Sequence, residues 1–239
     1  RGASDDAPEN TLASVKEGLI QRADGVEVDI RLTSDNEIVC HHDRNALRTT
    51  GIDKNIKDMT LEEVRSLDCG KRFGESWKGE KIPKLEEILI ALPKEKSIFI
   101  EVKTGEEIVP FLLGDIYSQS KDIDLITVIS FYPEVIKEIK KRESKINCNL
   151  LIAFDHQERG IDEILSIANT IDADGIGAQN HSKLNEEFVN SMKKNKKSVH
   201  VWTVNSKREA EEYVQIGIDS ITTNRPRYLK KHLELFQSK

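Results

Sequence analysis

The sequence predicts an α/β protein, a parallel (β/α)8 (TIM) barrel with a small insertion after the second strand. Three observations carry that expectation. Short β-rich apolar runs alternate with longer amphipathic stretches along the 239 residues. Strand-then-helix repetition needs crossover connections and therefore parallel strands. The glycine fingerprint G-x-G-x-x-G of a dinucleotide-binding open sheet is absent, Gly175 and Gly177 giving only a partial match.

The elements follow in order. An amphipathic stretch at Pro8–Arg22 comes first with no strand before it, so the first barrel strand is expected just upstream of Arg1. A strand at Gly25–Leu32 leads into a turn at Thr33–Glu37, where Ser34, Asp35 and Asn36 supply the turn chemistry. A return strand is expected at Ile38–His42. Residues 43–82 are polar and irregular, with one short helix near Thr60–Leu67. A long insertion of this kind is usually functional, and here it is expected to cap a site. The beat then resumes. Strands are expected at Ser97–Lys103, Leu125–Phe131, Asn149–Phe154, Asp174–Ala178, Ser198–Val204 and Asp219–Thr222. Helices are expected at Leu85–Leu92, Glu106–Ser120, Pro133–Arg142, Ile161–Ile171, Asn185–Asn195, Lys207–Ile216 and Pro226–Phe236. With a strand upstream of Arg1 the count reaches the eight that close a barrel, in one domain over 1–239.

Composition excludes several classes. Lys plus Arg number 36 against 42 Asp plus Glu, a net charge of −6, which disfavours nucleic acid as a partner. Three scattered cysteines, Cys40, Cys69 and Cys148, with no C-x-x-C, exclude a disulfide scaffold and a cysteine zinc site, and fit a reducing, cytoplasmic setting. No apolar run approaches the roughly 18 residues of a membrane span. Oligomeric state is not encoded in any pattern here.

The chemistry gathers on two strands. Glu27 and Asp29 lie two apart in Val26–Ile30, so both carboxylates share one face. Parallel barrel strands are normally apolar on both faces. Two buried acids on one face need compensation, commonly a divalent cation; the alternative is that both acids lie on the surface. Glu101 and Lys103 repeat the device at the C-terminal end of their strand, the end that carries barrel active sites. Glu101 would complete three hard oxygen ligands for Mg²⁺ or Ca²⁺, and Lys103 is a point charge for a phosphate oxygen. The competing account of Glu101 is a structural ion pair outside the barrel. Of the adjacent His41 and His42, at most one can point into the site, where an imidazole suits proton transfer. His156, His181, His200 and His232 read as structural or exposed. Trp202, near the end of its strand, is either a wall of a substrate cleft or a core residue, and Phe131 is a second wall candidate.

The ordered set of motifs is specific. Arg1-Gly2-Ala3-Ser4, Pro8-Glu9-Asn10-Thr11-Leu12, Glu27-Val28-Asp29, Thr33, His42-Asp43 and Leu47-Arg48-Thr49-Thr50 occur in that sequence. Thr60-Leu61-Glu62-Glu63, Ile82-Pro83-Lys84-Leu85-Glu86-Glu87, Glu101-Val102-Lys103, Trp202-Thr203-Val204-Asn205 and Thr223-Asn224-Arg225-Pro226 follow. In order and spacing they resemble the glycerophosphodiester phosphodiesterase family over essentially the whole chain. The resemblance implies a (β/α)8 barrel with a small insertion matching 43–82. It implies hydrolysis of a small soluble glycerophosphodiester to glycerol 3-phosphate and an alcohol. It also implies one divalent cation, Mg²⁺ or Ca²⁺, on Glu27, Asp29 and Glu101.

The family's opening Arg falls on Arg1 and its second catalytic His on His42; His41 has no counterpart. The family motif reads His-Arg-Gly, so its first catalytic His is expected immediately before Arg1. The usual Thr-Asp-Arg-Pro reads Thr-Asn-Arg-Pro here, and Asn224 retains capping ability. On this pattern His42 protonates the departing alcohol, Arg1 and Lys103 neutralise phosphate charge, and Trp202 and Phe131 contact substrate. The nucleophile is water or the glycerol 2-hydroxyl. Two alternatives stay open: a related barrel phospholipase acting on lipid head groups, and a non-catalytic binding barrel should the His before Arg1 be absent.

Overall fold

The computed structural model describes residues 1–119, 122–156 and 158–237, which leaves the expected helix end at Ser120 outside the described residues. It divides into two compact units, Arg1–Ile126 and Thr127–Lys239.

The first unit opens with Arg1 and Gly2. Gly2 sits at φ +72°, and a Cβ there would come within 2.5 Å of the Ser14 backbone, so only glycine fits. Helix α1 (Leu12–Ile20) starts later than the expected Pro8. Asn10 adopts a left-handed φ of 57°, which interrupts any helix there. Thr11 then becomes the N-cap, its Oγ1 accepting from Ser14 N while Ser14 Oγ accepts from Thr11 N. Strand β1 (Gly25–Leu32) and β2 (Ile38–Cys40) are antiparallel, with Ile30 opposite Cys40. Their turn closes on Asn36, at φ +61°, whose N–H donates to Thr33 O.

After β2 come two short helices, α2 (Leu47–Thr50) and α3 (Leu61–Ser66). Thr60 and Glu63 form a capping box that starts α3. Val39, Ala46, Ile56, Met59, Val64, Cys69 and Ile82 bury one another in a small core that holds this irregular stretch together. Helix α4 (Leu85–Ala91) buries Leu85, Ile88 and Leu89, the i, i+3, i+4 pattern of one helical face. Strand β3 (Ser97–Val102) runs parallel to β1 and sets Asp29 opposite Glu101. Helix α5 (Val109–Ser118) follows.

In the second unit strand and helix alternate strictly: β4 (Ile126–Ser130), α6 (Pro133–Arg142), β5 (Asn147–Ile152), α7 (Ile161–Thr170), β6 (Gly175–Gln179), α8 (Glu186–Lys194), β7 (Ser198–Trp202), α9 (Lys207–Gln215), β8 (Ser220–Ile221) and α10 (Pro226–Gln237). β4 to β8 pair in order, all parallel. Pro133 occupies the first turn of α6, where its missing N–H costs nothing. β5 starts at Asn147, two residues ahead of the expected Asn149, because the apolar pattern conceals the polar end of the strand. Leu150, Ile152, Ile176, Ala178, Val199 and Val201 are buried on one sheet face. α6 offers Val135, Ile136 and Ile139 for burial, and α8 offers Phe188, Val189 and Met192. The other face carries Asn149, Gly175, Gly177, Ser198 and His200 together with Leu151 and Trp202. At Gly175 a Cβ would lie 2.0 Å from Ser198 Oγ, so glycine admits that hydroxyl.

Each of the seven strands expected within 1–239 is present, and the return strand is the antiparallel one. Among the described residues no helix is long and apolar enough to cross a membrane.

Candidate active site

Parallel pairing of β1 with β3 creates the site in the first unit. Glu27 and Asp29 point to one face of β1, and the register brings Glu101 beside Asp29. One carboxylate oxygen from each of the three lies within 4.8 Å of the others. Asp29 is fully buried, and the side chains of Glu27 and Glu101 are 11% and 12% exposed. The surface alternative for Glu27 and Asp29 is therefore excluded.

Three buried acids so close repel one another unless positive charge intervenes. Two side chains supply part of it. Lys103 Nζ bonds the Glu101 carboxylate and lies 3.1 Å from Asp29 Oδ1. Arg1 Nε lies 3.1 Å from Asp29 Oδ2. Glu101 is thus ion-paired within the cluster, not to a cation outside it. Burial alone would raise the Asp29 carboxyl, but Lys103 and Arg1 override it and hold Asp29 well below the usual carboxylate range. Burial pushes Glu101 up; Lys103 opposes the rise, and the Asp29 and Glu27 carboxylates add to it. For Lys103, burial is outweighed by Asp29 and Glu101, which raise it and keep it charged.

Asn10 braces this cluster. It is almost fully buried; its Nδ2 donates to Asp29 Oδ2 (2.7 Å) and its Oδ1 accepts from Asp29 N (2.9 Å). The same left-handed backbone that delays α1 aims this amide at Asp29.

The two histidines divide as period-two geometry requires. His41 is buried; its Nδ1 donates to the Asp43 carbonyl (2.8 Å), leaving Nε2 to accept from Thr49 Oγ1 (2.9 Å). Both ring nitrogens are committed, which is a structural role. His42 is about one-third exposed, and its Nδ1 lies 2.7 Å from Asp43 Oδ1. A carboxylate only accepts, so Nδ1 carries a hydrogen and Nε2 is left as the uncommitted nitrogen. Burial lowers the His42 pKa, against the pull of Asp29. Asp43, in turn, is held at about 2: burial would raise it, but bonds from Arg48 and His42 prevail. Arg48 Nε donates to Asp43 Oδ2 (2.5 Å), and its two terminal nitrogens grip Glu9 (2.7 Å each). Arg31 donates twice to the His42 carbonyl, at 3.0 and 2.7 Å, and once to the Lys103 carbonyl.

In the second unit the Phe131 and Trp202 rings meet edge to face, centroids 5.7 Å apart, and Trp202 Nε1 donates to Gly177 O (3.0 Å). His200 is buried between Ser220 Oγ and Thr222 Oγ1. His232 bonds Glu211, and Asn205 Oδ1 accepts from Thr223 Oγ1 and Asn224 N, which joins two of the quoted motifs.

Glu9, Asn10, Asp43 and Arg48 all stand in quoted motifs, yet the sequence alone gives them no role. Their partners lie up to 39 residues away, outside the reach of any periodicity. The signal that could have found them is the unusual density of charged and amide residues at 9–10 and 43–48.

The donor set fits a hard divalent cation. All three candidate ligands are carboxylates, and Glu27 Oε1 is buried with no hydrogen-bond partner, while Asp29 Oδ1 meets only Lys103 Nζ, at 3.1 Å. Buried oxygens left in that state are what a bound cation would satisfy.

Comparison with known proteins places this geometry. Residues 1–228 match the glycerophosphoryl diester phosphodiesterase family. A glycerophosphodiester phosphodiesterase of Caldanaerobacter subterraneus subsp. tengcongensis is 32% identical over 96% of this chain and 93% of its own. An Oleispira antarctica phosphodiesterase, solved in complex with the product sn-glycerol-3-phosphate, superposes with a TM-score of 0.89 at 25% identity, covering 98% of this chain and 94% of that one. A glycerophosphodiester phosphodiesterase from Agrobacterium tumefaciens gives 0.83 at 22% identity over 97% and 96%. The fold is that of the α/β barrels to which these structures belong. The chain belongs to the glycerophosphoryl diester phosphodiesterase family, and its activity is that of a phosphodiesterase.

Proposed function

We propose that this enzyme hydrolyses a soluble glycerophosphodiester to glycerol 3-phosphate and an alcohol, with one Mg²⁺ or Ca²⁺ held by Glu27, Asp29 and Glu101. The observation that carries the reading is the buried acid triad, its oxygens within 4.8 Å, flanked by Lys103 and Arg1. Family membership and the glycerol 3-phosphate bound by the Oleispira antarctica relative support the choice of substrate. A cation on the triad would polarise a phosphate oxygen and favour the nucleophile.

The remaining work falls to side chains of this chain. Lys103 and Arg1 present positive charge where phosphate oxygens gain negative charge, already oriented by Asp29 and Glu101. As the imidazolium, His42 gives its Nε2 proton to the departing alcohol oxygen, while the Nδ1 hydrogen stays on Asp43. Lys103, Phe131 and Trp202 are our candidates for substrate contacts, the two aromatics on the family pattern. We read the chain as one phosphodiesterase domain whose segment 43–82 caps the site. Support comes from Arg48, which reaches from α2 to Glu9, and from a small cleft lined by Glu9, His42, Thr49 and Cys69.

Glycerophosphocholine is the test substrate. The enzyme is expected to release glycerol 3-phosphate from it. His42→Ala should lose about 10²–10⁴-fold in kcat, the usual share of a general acid, with an unchanged circular dichroism spectrum. Full activity in that variant would overturn the assignment.

A further inference from the structure

We propose that Asp43 is the positioning residue for His42, held in place by Arg48 and Glu9, so that an unbroken chain of alternating charge links the proton donor to Arg1. This rests on the reading of His42 as general acid. The chain is continuous: His42 Nδ1 to Asp43 Oδ1 (2.7 Å), Asp43 Oδ2 to Arg48 Nε (2.5 Å), Arg48 to both Glu9 oxygens (2.7 Å each), and Glu9 Oε1 to Arg1 (3.3 Å).

Each link does something specific. Asp43 accepts the Nδ1 hydrogen bond and thereby fixes the ring plane and favours the imidazolium, leaving the Nε2–H for the alcohol oxygen. A single-bonded carboxylate could swing away, since both Asp43 and His42 are about one-third exposed. Arg48 removes that freedom by holding the second oxygen. The fork of Arg48 fits Glu9 with two parallel bonds, which fixes the guanidinium in turn. Glu9 is the least exposed member, at 19%, and stands in the same loop as Asn10. Two segments far apart in sequence, 8–10 and 41–48, the second running into α2, are thus locked together at the site. Arg31 adds the backbone half of the restraint by gripping the His42 carbonyl. Asp43 and Arg48 never need to touch substrate: they act through His42.

The proton given by His42 matters only when the leaving alkoxide is basic. Choline leaves poorly without it, whereas 4-nitrophenolate leaves unaided. The experiment measures kcat and KM of wild type, His42→Ala, Asp43→Asn and Arg48→Met on glycerophosphocholine and on the 4-nitrophenyl ester of glycerol 3-phosphate. Asp43→Asn is expected to lose tenfold or more in kcat on glycerophosphocholine, with KM within about twofold. On the nitrophenyl ester it should lose at least tenfold less. Arg48→Met should show the same pattern at roughly three- to tenfold, and it guards against a misfolded Asp43 variant. Equal losses on both substrates, or no loss on either, would overturn the positioning role while His42→Ala retains its leaving-group dependence. If His42→Ala itself lacks that dependence, the general-acid reading fails first, and the positioning role with it.

Discussion

His200 offers a quantitative check on the second unit. Its ring is fully enclosed between β7 and the end of β8, with Nδ1 on Ser220 Oγ (2.7 Å) and Nε2 on Thr222 Oγ1 (2.8 Å). Burial pushes its pKa from 6.5 down to about 4, against a small opposing effect of Ser220. The folded protein therefore keeps this ring neutral at a pH where the unfolded chain has already protonated it. Stability from this group is fully present above 6.5, is lost as pH falls, and stops falling below about 4. Each pH unit in between is worth about 1.4 kcal/mol, so about 2 kcal/mol is lost between pH 7 and 4.5. The assay is urea unfolding of wild type and His200→Gln at both pH values. His41 and His42, also lowered by burial, contribute equally to both proteins and drop out of the difference. Wild type should lose about 2 kcal/mol more than the variant across that interval. Parallel losses would show that His200 titrates normally and that its enclosure is not as described.

Two further outcomes concern the acid cluster. Lys103→Met should destabilise the metal-free protein by about 3 kcal/mol, because it leaves buried carboxylates without their cation. Saturating Mg²⁺ should recover part of that loss; the thermal midpoint with and without the ion measures both. Asn10→Ala should cost about 2 kcal/mol by denaturant unfolding, since it removes two buried bonds to Asp29 and puts alanine at φ +57°. A cost below about 0.5 kcal/mol would mean that Asn10 does not support Asp29.

The acid triad was legible in the sequence because strand periodicity is strict. Glu27 and Asp29 two apart, and Glu101 at the end of an apolar run, violate the pattern of a buried parallel strand, and such a violation needs a compensating charge. The strand positions were legible for the same reason, β-rich runs of four to eight residues being hard to mistake in a repeating α/β pattern. What stayed hidden depends on long-range geometry. No periodic rule says that Asn10 turns left-handed, that α1 consequently begins at Leu12, or that Arg48 crosses to Glu9. Period two placed His41 and His42 on opposite sides without saying which was which. The choice lies in their partners: His41 is tied at both nitrogens and His42 at one. Residues 43–82 gave a single helix by pattern, yet six of them join Val39 of β2 in a buried core of small and medium apolar residues too irregularly spaced to read as any face.

Cation binding by the chelator-stripped enzyme, followed by calorimetric titration with Mg²⁺ and with Ca²⁺, tests the acid triad without relying on turnover. One ion should bind per chain, and Glu27→Gln and Asp29→Asn should each weaken it at least tenfold. Failure of the stripped wild type to bind either ion, or undiminished binding in Glu27→Gln, would contradict the role given to the triad.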